Sequence, residues 1–117
     1  MTSAPLVIDP TRIDVRMSTS DAGCTVLVSG EVDSVTAPGL RTCLLDVLGQ
    51  PEFSTVEVDL CAVTFLDSAG LSALATAHRT AAAAGRTLNF RCGTARAVVR
   101  PLQITGLWDV FSVLDAD

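Results

Sequence analysis

Aromatic and basic residues are scarce in this sequence. Its 117 residues include no tyrosine, one tryptophan and one histidine, and only eight are lysine or arginine against thirteen that are aspartate or glutamate. Proteins that bind the phosphate backbone of nucleic acid rely on clustered cations. The formal net charge of −5 and the sequence pI of about 4.6 therefore argue against nucleic acid as a direct partner.

Long apolar runs are absent as well. No stretch approaches the ~20 apolar residues that a membrane-spanning helix needs. The first ten residues have neither the basic segment nor the apolar segment of a secretory signal. We therefore expect a soluble, cytoplasmic protein with no segment inserted in a membrane.

Cysteine and histidine are too few and too widely spaced for a metal site. Cys24, Cys43, Cys61 and Cys92 form no C-x-x-C pair, and His78 is the only histidine. No metal and no cofactor is expected, and His78 is expected to pack at the edge of the core. The four thiols are predicted to be buried as small apolar side chains. The alternative is a redox sensor in which two of these four candidate thiols pair.

Apolar residues make up 49% of the chain and charged residues 18%, a balance that predicts one packed domain. Residues 1–11 are expected to form a loose lead-in and residues 12–117 the domain. Alternation of apolar and polar residues after residue 12 predicts two strands joined by the turn 18–23 as a hairpin. A helix over 37–48, with Thr36 as its N-cap, and a strand over 55–61 follow, an order that favours parallel pairing.

The second half of the chain continues this alternation. The pattern predicts a helix over 68–84, a strand over 87–92, a helix from near 94–98 to 105 that Pro101 delays or kinks, and a docked tail or short helix over 107–113. The predicted fold is α/β: a mixed, mostly parallel sheet of four to five strands, with the helices packed chiefly on one side.

The junction between the third predicted strand and the second predicted helix carries Asp67 and Ser68. Either side chain can accept hydrogen bonds from the first turn of the helix, whose open N–H groups can also hold a phosphate. His78 lies ten residues after Ser68 in the same predicted helix, nearly three turns away, so the two cannot form a nucleophile and base pair. The sequence also lacks nucleotide-binding glycine motifs. We do not expect an enzyme.

Four segments, in their order and spacing, resemble the STAS domain of bacterial anti-sigma-factor antagonists. They are GEVD at 30–33, VDL at 58–60, FLDSAGL at 65–71 and GL at 106–107, and the resemblance extends from about residue 13 to 113. The most specific part is the sequence DSAGL at 67–71. Ala69 stands where a second serine is common in this family, which leaves a single acceptor at this position.

The resemblance implies a phosphorylation switch. In this family an anti-sigma factor that is also a serine kinase phosphorylates the serine after the aspartate, here Ser68, flanked by Asp33 and Asp67. The unphosphorylated protein binds the kinase and frees the sigma factor, and phosphorylation releases the kinase. The implied partner-binding residues are Glu31, Asp33, Ser34, Thr36, Asp67, Ser68, Ala69, Gly70 and Leu71. The alternative is a STAS subunit of a lipid-transport or other membrane ABC transporter system.

Overall fold

The computed structural model describes residues 12–21 and 23–114, so the expected lead-in over residues 1–11 lies outside the described residues. The elements, in chain order, are β1 (Ile13–Thr19), β2 (Gly23–Val32), α1 (Ala37–Leu48), β3 (Thr55–Leu66), α2 (Ser68–Ala83), β4 (Thr87–Arg91), α3 (Arg96–Thr105), α4 (Leu107–Val110) and β5 (Ser112–Leu114).

These strands form one five-stranded sheet in the order β1-β2-β3-β4-β5. β1 and β2 pair antiparallel, as the predicted hairpin requires, and the other three pairings are parallel. The α/β fold with a mixed, mostly parallel sheet is confirmed. Parallel neighbours place the carboxyl ends of β2, β3 and β4 at the same edge of the sheet, where the connections to the helices begin.

One face of the sheet holds the core. Alternate residues of the central strands are buried, among them Val26, Val58 and Phe90, whereas Glu57 and Arg91 between them stay partly exposed. The helices cover the buried face, where the ring of Phe90 stacks on Phe111 with 4.5 Å between centroids. Burying each such side chain contributes roughly 1.5–3 kcal/mol to the free energy of unfolding.

The hairpin turn is shorter than predicted, since β1 reaches Thr19 and β2 starts at Gly23, and three further elements differ from the sequence prediction. β3 continues five residues beyond Cys61, because the added residues pair with the end of β2 through two register shifts. The tail contains both a short helix, α4, and a fifth strand that pairs with β4. Pro101 lies inside α3, which neither stops nor starts after it. Because proline has no N–H, the carbonyl of Ala97 loses its helical partner there.

Candidate functional site

The ends of β2 and β3 meet next to the start of α2. Val32 pairs with Leu66, and the N–H of Asp67 donates to the carbonyl of Val32 over 3.2 Å. Gly70, in the first turn of α2, is buried against both strands: a Cβ there would collide with Leu66 and lie 2.8 Å from Cγ1 of Val32. The strand end before Asp33 and the start of α2 therefore lie close together.

Asp67 caps α2. Its Oδ1 accepts hydrogen bonds from the N–H groups of Ala69 and Gly70, at 2.9 and 3.1 Å, and its carbonyl accepts from Leu71 at 2.9 Å. A capping carboxylate at this position also interacts favourably with the helix dipole. Ser68 is therefore relieved of capping. Its side chain is exposed, and its hydroxyl has no hydrogen bond within the described part of the chain.

Asp33 repeats this geometry on the neighbouring strand. Its Oδ1 accepts from the N–H groups of Val35 and Thr36, at 2.9 and 3.1 Å, so both aspartates bond the residues two and three positions ahead. Ser34 consequently occupies the same place after its aspartate as Ser68 does, and it is exposed as well. The site consists of two aspartate-capped turns side by side on adjacent parallel strands.

Thr36 precedes α1 as predicted, but its hydroxyl does not cap that helix. The Oγ1 atom accepts from the N–H of Asp33 and donates to the carbonyl of Glu31, both over 2.9 Å. Thr36 is 1% exposed, so it holds the β2–α1 turn together from inside. Thr36 therefore occupies the predicted N-cap position without a capping hydrogen bond, because its hydroxyl is already engaged by the backbone of Asp33 and Glu31.

Arg12 was not among the predicted site residues, yet it offsets part of the negative charge of this turn. Its guanidinium forms ion pairs with Asp33 and with Glu31, the latter over 3.4 Å. The Asp33 side chain is only 14% exposed, so much of its negative charge is matched by a cation. No local pattern could have indicated this pair, because Arg12 precedes β1 and reaches Asp33 only through the hairpin.

Two exposed apolar residues flank the capped turns and were also missed. Val35 is 66% exposed in the β2–α1 turn, and Phe65 is 48% exposed near the end of β3. The register shifts that accompany the extension of β3 leave Phe65 beside Glu31 instead of in the core. With Leu71 partly buried, these side chains give the site an apolar component.

His78 lies in the second half of α2, away from Ser68. His78 is partly buried and packs against Phe111, with 5.3 Å between ring centroids. Across residues 12–21 and 23–114, no cluster of three or more histidine, cysteine or acidic residues could hold a metal ion.

The four cysteines are all free, and they differ in exposure. Cys24 and Cys92 are buried, Cys43 is half-buried and Cys61 is exposed, so the prediction of four buried thiols fails at Cys61. Burial raises the pKa of the Cys92 thiol to about 11 and also raises the pKa of Cys24 and Cys43. The pKa of Cys61 is raised by burial and then by its hydrogen bond with Asp59.

Cys61 is expected to react with iodoacetamide before the other three thiols of the folded protein. Because its pKa is raised above the ordinary value of 9.0, the thiolate fraction and the labelling rate should keep rising as the pH approaches and passes 9. Peptide mass mapping at successive times measures this order, with Cys61→Ser as the control. Equal early labelling of Cys24 or Cys92 would contradict it.

Comparison with known proteins gives the family. The family model described as "Mlab, STAS domain" matches residues 15–114. An anti-sigma factor antagonist from Mycobacterium paratuberculosis is 31% identical, with a TM-score of 0.80 over 92% of this chain and 89% of that one. A search of curated proteins gave no match.

The anti-sigma factor antagonist SpoIIAA in its unphosphorylated form is 17% identical, with a TM-score of 0.73 over 89% of each chain. The Bacillus cell fate determinant SpoIIAA in its phosphorylated form is 16% identical, with a TM-score of 0.69 over 89% of this chain and 92% of that one. At these identities the likeness concerns the fold. None of the described helices is long and apolar enough to cross a membrane. Because the family model covers nearly the whole chain and the Mycobacterium paratuberculosis antagonist shares 31% of its residues, this protein belongs to the STAS-domain family of anti-sigma-factor antagonists.

Proposed function

We propose that this protein binds an anti-sigma factor with serine kinase activity while Ser68 is unphosphorylated, thereby freeing a sigma factor, and that phosphorylation of Ser68 releases the kinase. One observation carries the proposal: Ser68 is exposed and its hydroxyl bonds no other described residue, while the Asp67 side chain caps α2. The partner's active site could take up this hydroxyl without unwinding the helix. We expect the protein to act in the cytoplasm, as a binding partner and not as an enzyme.

A phosphate on Ser68 would remain presented to the partner. It brings about −1.5 to −2 charges. The N–H groups of Ala69 and Gly70, which could otherwise bind it, already donate to Asp67. The helix dipole still favours the added charge by about 0.3–1 kcal/mol, so the fold should tolerate it. Most of the new charge is then available to repel an acidic partner surface.

The size of that repulsion is sufficient for a switch. At an effective dielectric constant of ~20, two unit charges ~5 Å apart repel by about 3 kcal/mol before screening by salt. The acidic side chain of Asp67 stands next to Ser68, and partner groups that contact this surface would meet both charges. Even a strongly screened remainder of about 1.4 kcal/mol corresponds to a tenfold change in affinity. Release therefore needs no refolding of the domain.

The surroundings of Ser68 suit a protein partner. Exposed Val35 and Phe65 offer apolar contacts, and Glu31, Ser34 and Ser68 offer polar groups between them. A mixture of apolar and polar contacts is the usual composition of a reversible interface. SpoIIAA, which shares this fold, has been solved in both phosphorylated and unphosphorylated forms, which supports a phosphate-controlled role for the domain.

The proposal predicts that the cognate anti-sigma kinase and Mg-ATP add one phosphate to this protein, at Ser68. The exposed hydroxyl and the rigid Asp67 cap make Ser68 the acceptor, and the far-ultraviolet circular dichroism spectrum should stay unchanged because the helix dipole tolerates the charge. Mass spectrometry of the intact protein and of its peptides measures the stoichiometry and the position.

Ser34 supplies a matched control, because it follows Asp33 in the same local geometry. Ser34→Ala should still take up one phosphate, at Ser68, whereas Ser68→Ala should take up none. Phosphate found on Ser34, or none at all with an active kinase, would refute the proposal. Absence of phosphate in cells together with co-purification of a membrane ATPase would favour the transporter-subunit alternative.

A further inference from the structure

A second surface, formed by α3, α4 and the turn before α3, combines cations with the single tryptophan. A groove of about 430 Å³ is lined by Arg96, Arg100, Gln103 and Trp108, together with Gly93 and Thr94 of the turn. We call this surface the α3 groove. The α3 groove begins at the turn after β4, whereas Ser68 begins the helix after β3. The groove and the Ser68 site are therefore built from different strand-to-helix connections.

The two arginines of the α3 groove have no partner within the described part of the chain. Other arginines are engaged: Arg12 pairs with Asp33, Arg91 with Glu57, and Arg86 donates to two backbone carbonyls. Arg96 and Arg100 are both exposed and lie four residues apart on α3. Side chains at this spacing have Cβ atoms about 5–6 Å apart on the same helix face, so the groove presents a concentrated positive charge.

Apolar side chains border these cations. Trp108 is partly buried in the wall of the groove, and Ile104 follows Arg100 by one helical turn and is 72% exposed. Val110, in α4, is 56% exposed. Tryptophan and arginine, with tyrosine, are enriched at the energetic centres of protein interfaces.

We propose that the α3 groove docks an acidic peptide segment of a partner protein, with carboxylates on Arg96 and Arg100 and a bulky apolar side chain against Trp108. Charge complementarity selects this occupant: guanidinium groups pair with carboxylates in two parallel hydrogen bonds, and no carboxylate of the described residues occupies them. Two adjacent cations are too few to bind along a nucleic acid backbone. The apolar border favours a peptide that contains both acidic and apolar residues.

Trp108 is the only tryptophan, so its fluorescence reports directly on the groove. The probe is a fluorescein-labelled peptide of glutamate and leucine, titrated against the natural protein and followed by anisotropy and by Trp108 emission. The double variant Arg96→Glu/Arg100→Glu should raise the dissociation constant at least about tenfold, because each exchange replaces attraction by repulsion. Binding should also weaken as salt concentration rises.

Arg41→Glu is the matched control, since Arg41 is an exposed arginine on α1 that also lacks an ion pair among the described residues. It should bind the peptide as the natural protein does, and so should Ser68→Asp, which separates this groove from the proposed switch. The proposal is overturned if the double variant binds the peptide as tightly as the natural protein does. It is also overturned if a peptide with glutamine in place of glutamate binds equally well, or if the glutamate peptide does not bind at millimolar concentration. If inorganic triphosphate displaces the peptide and itself shifts Trp108 emission, the groove is a site for small anions. That result would also overturn the proposal.

Discussion

Ser68→Asp is expected to bind the anti-sigma kinase ten- to a hundredfold more weakly than Ser68→Ala. The alanine variant keeps the unphosphorylated charge and the Asp67 cap, so it should bind as the natural protein does and should not be released on adding Mg-ATP. The aspartate variant places a fixed negative charge next to Asp67 on an exposed surface. Isothermal titration calorimetry with the kinase measures both dissociation constants.

The size of this difference follows from the geometry of the first turn of α2. Because Asp67 already accepts from Ala69 and Gly70, an aspartate at position 68 gains no hydrogen bond from those N–H groups. Its charge should therefore stay exposed on the surface that we propose the partner contacts. A difference of 1.4–2.8 kcal/mol in binding free energy corresponds to the expected range of affinities.

Ser20→Asp controls for added charge. Ser20 is exposed in the hairpin turn before β2, and Asp33 follows the other end of that strand, so the same charge change there should leave kinase binding unchanged. Equal affinities for Ser68→Ala and Ser68→Asp would show that position 68 does not control the complex. If Ser20→Asp weakens kinase binding as much as Ser68→Asp does, the effect comes from net charge and not from position 68.

Local patterns predicted the elements that carry the site. The position of α1 followed from its apolar stripe, and the start of α2 followed from Asp67 and Ser68, both confirmed to within a residue. Which of two adjacent side chains caps the helix was harder to predict. Asp67 and Ser68 were equally able to cap α2, and only the extended backbone at Asp67 decides that its carboxylate reaches the first turn.

Features that depend on distant pairing could not be read from the sequence. β5 has three residues and exists because β4 offers an edge to it. Phe65 belongs to an apolar run that suggests burial, and the two register shifts between β2 and β3 accompany its exposed position. The ion pair of Arg12 with Asp33 joins residues on either side of a hairpin. In each case the deciding interaction lies outside the window that a local pattern describes.

Gly30→Ala is expected to lower the free energy of unfolding by about 2–5 kcal/mol. Gly30 has φ +97°, a left-handed conformation that costs a residue with a Cβ about 1–2 kcal/mol. A Cβ there would also collide with the carbonyl oxygen of Arg12 and lie 3.1 Å from Cα of Ile13. Such overpacking costs about 1–3 kcal/mol. Urea denaturation followed by circular dichroism measures the change.

Gly85→Ala and Gly106→Ala separate the two costs. Both glycines have positive φ, +69° and +82°, but a Cβ at either position would meet nothing within 4 Å. These variants should therefore lose only the conformational part, about 1–2 kcal/mol. Because the carbonyl of Arg12 also accepts the N–H of Glu31 over 2.7 Å, displacing it in Gly30→Ala should loosen the strand end that leads to Asp33. Equal destabilisation in all three variants would show that the close approach of β1 to Gly30 contributes nothing, and that the conformation of the glycine alone sets the cost.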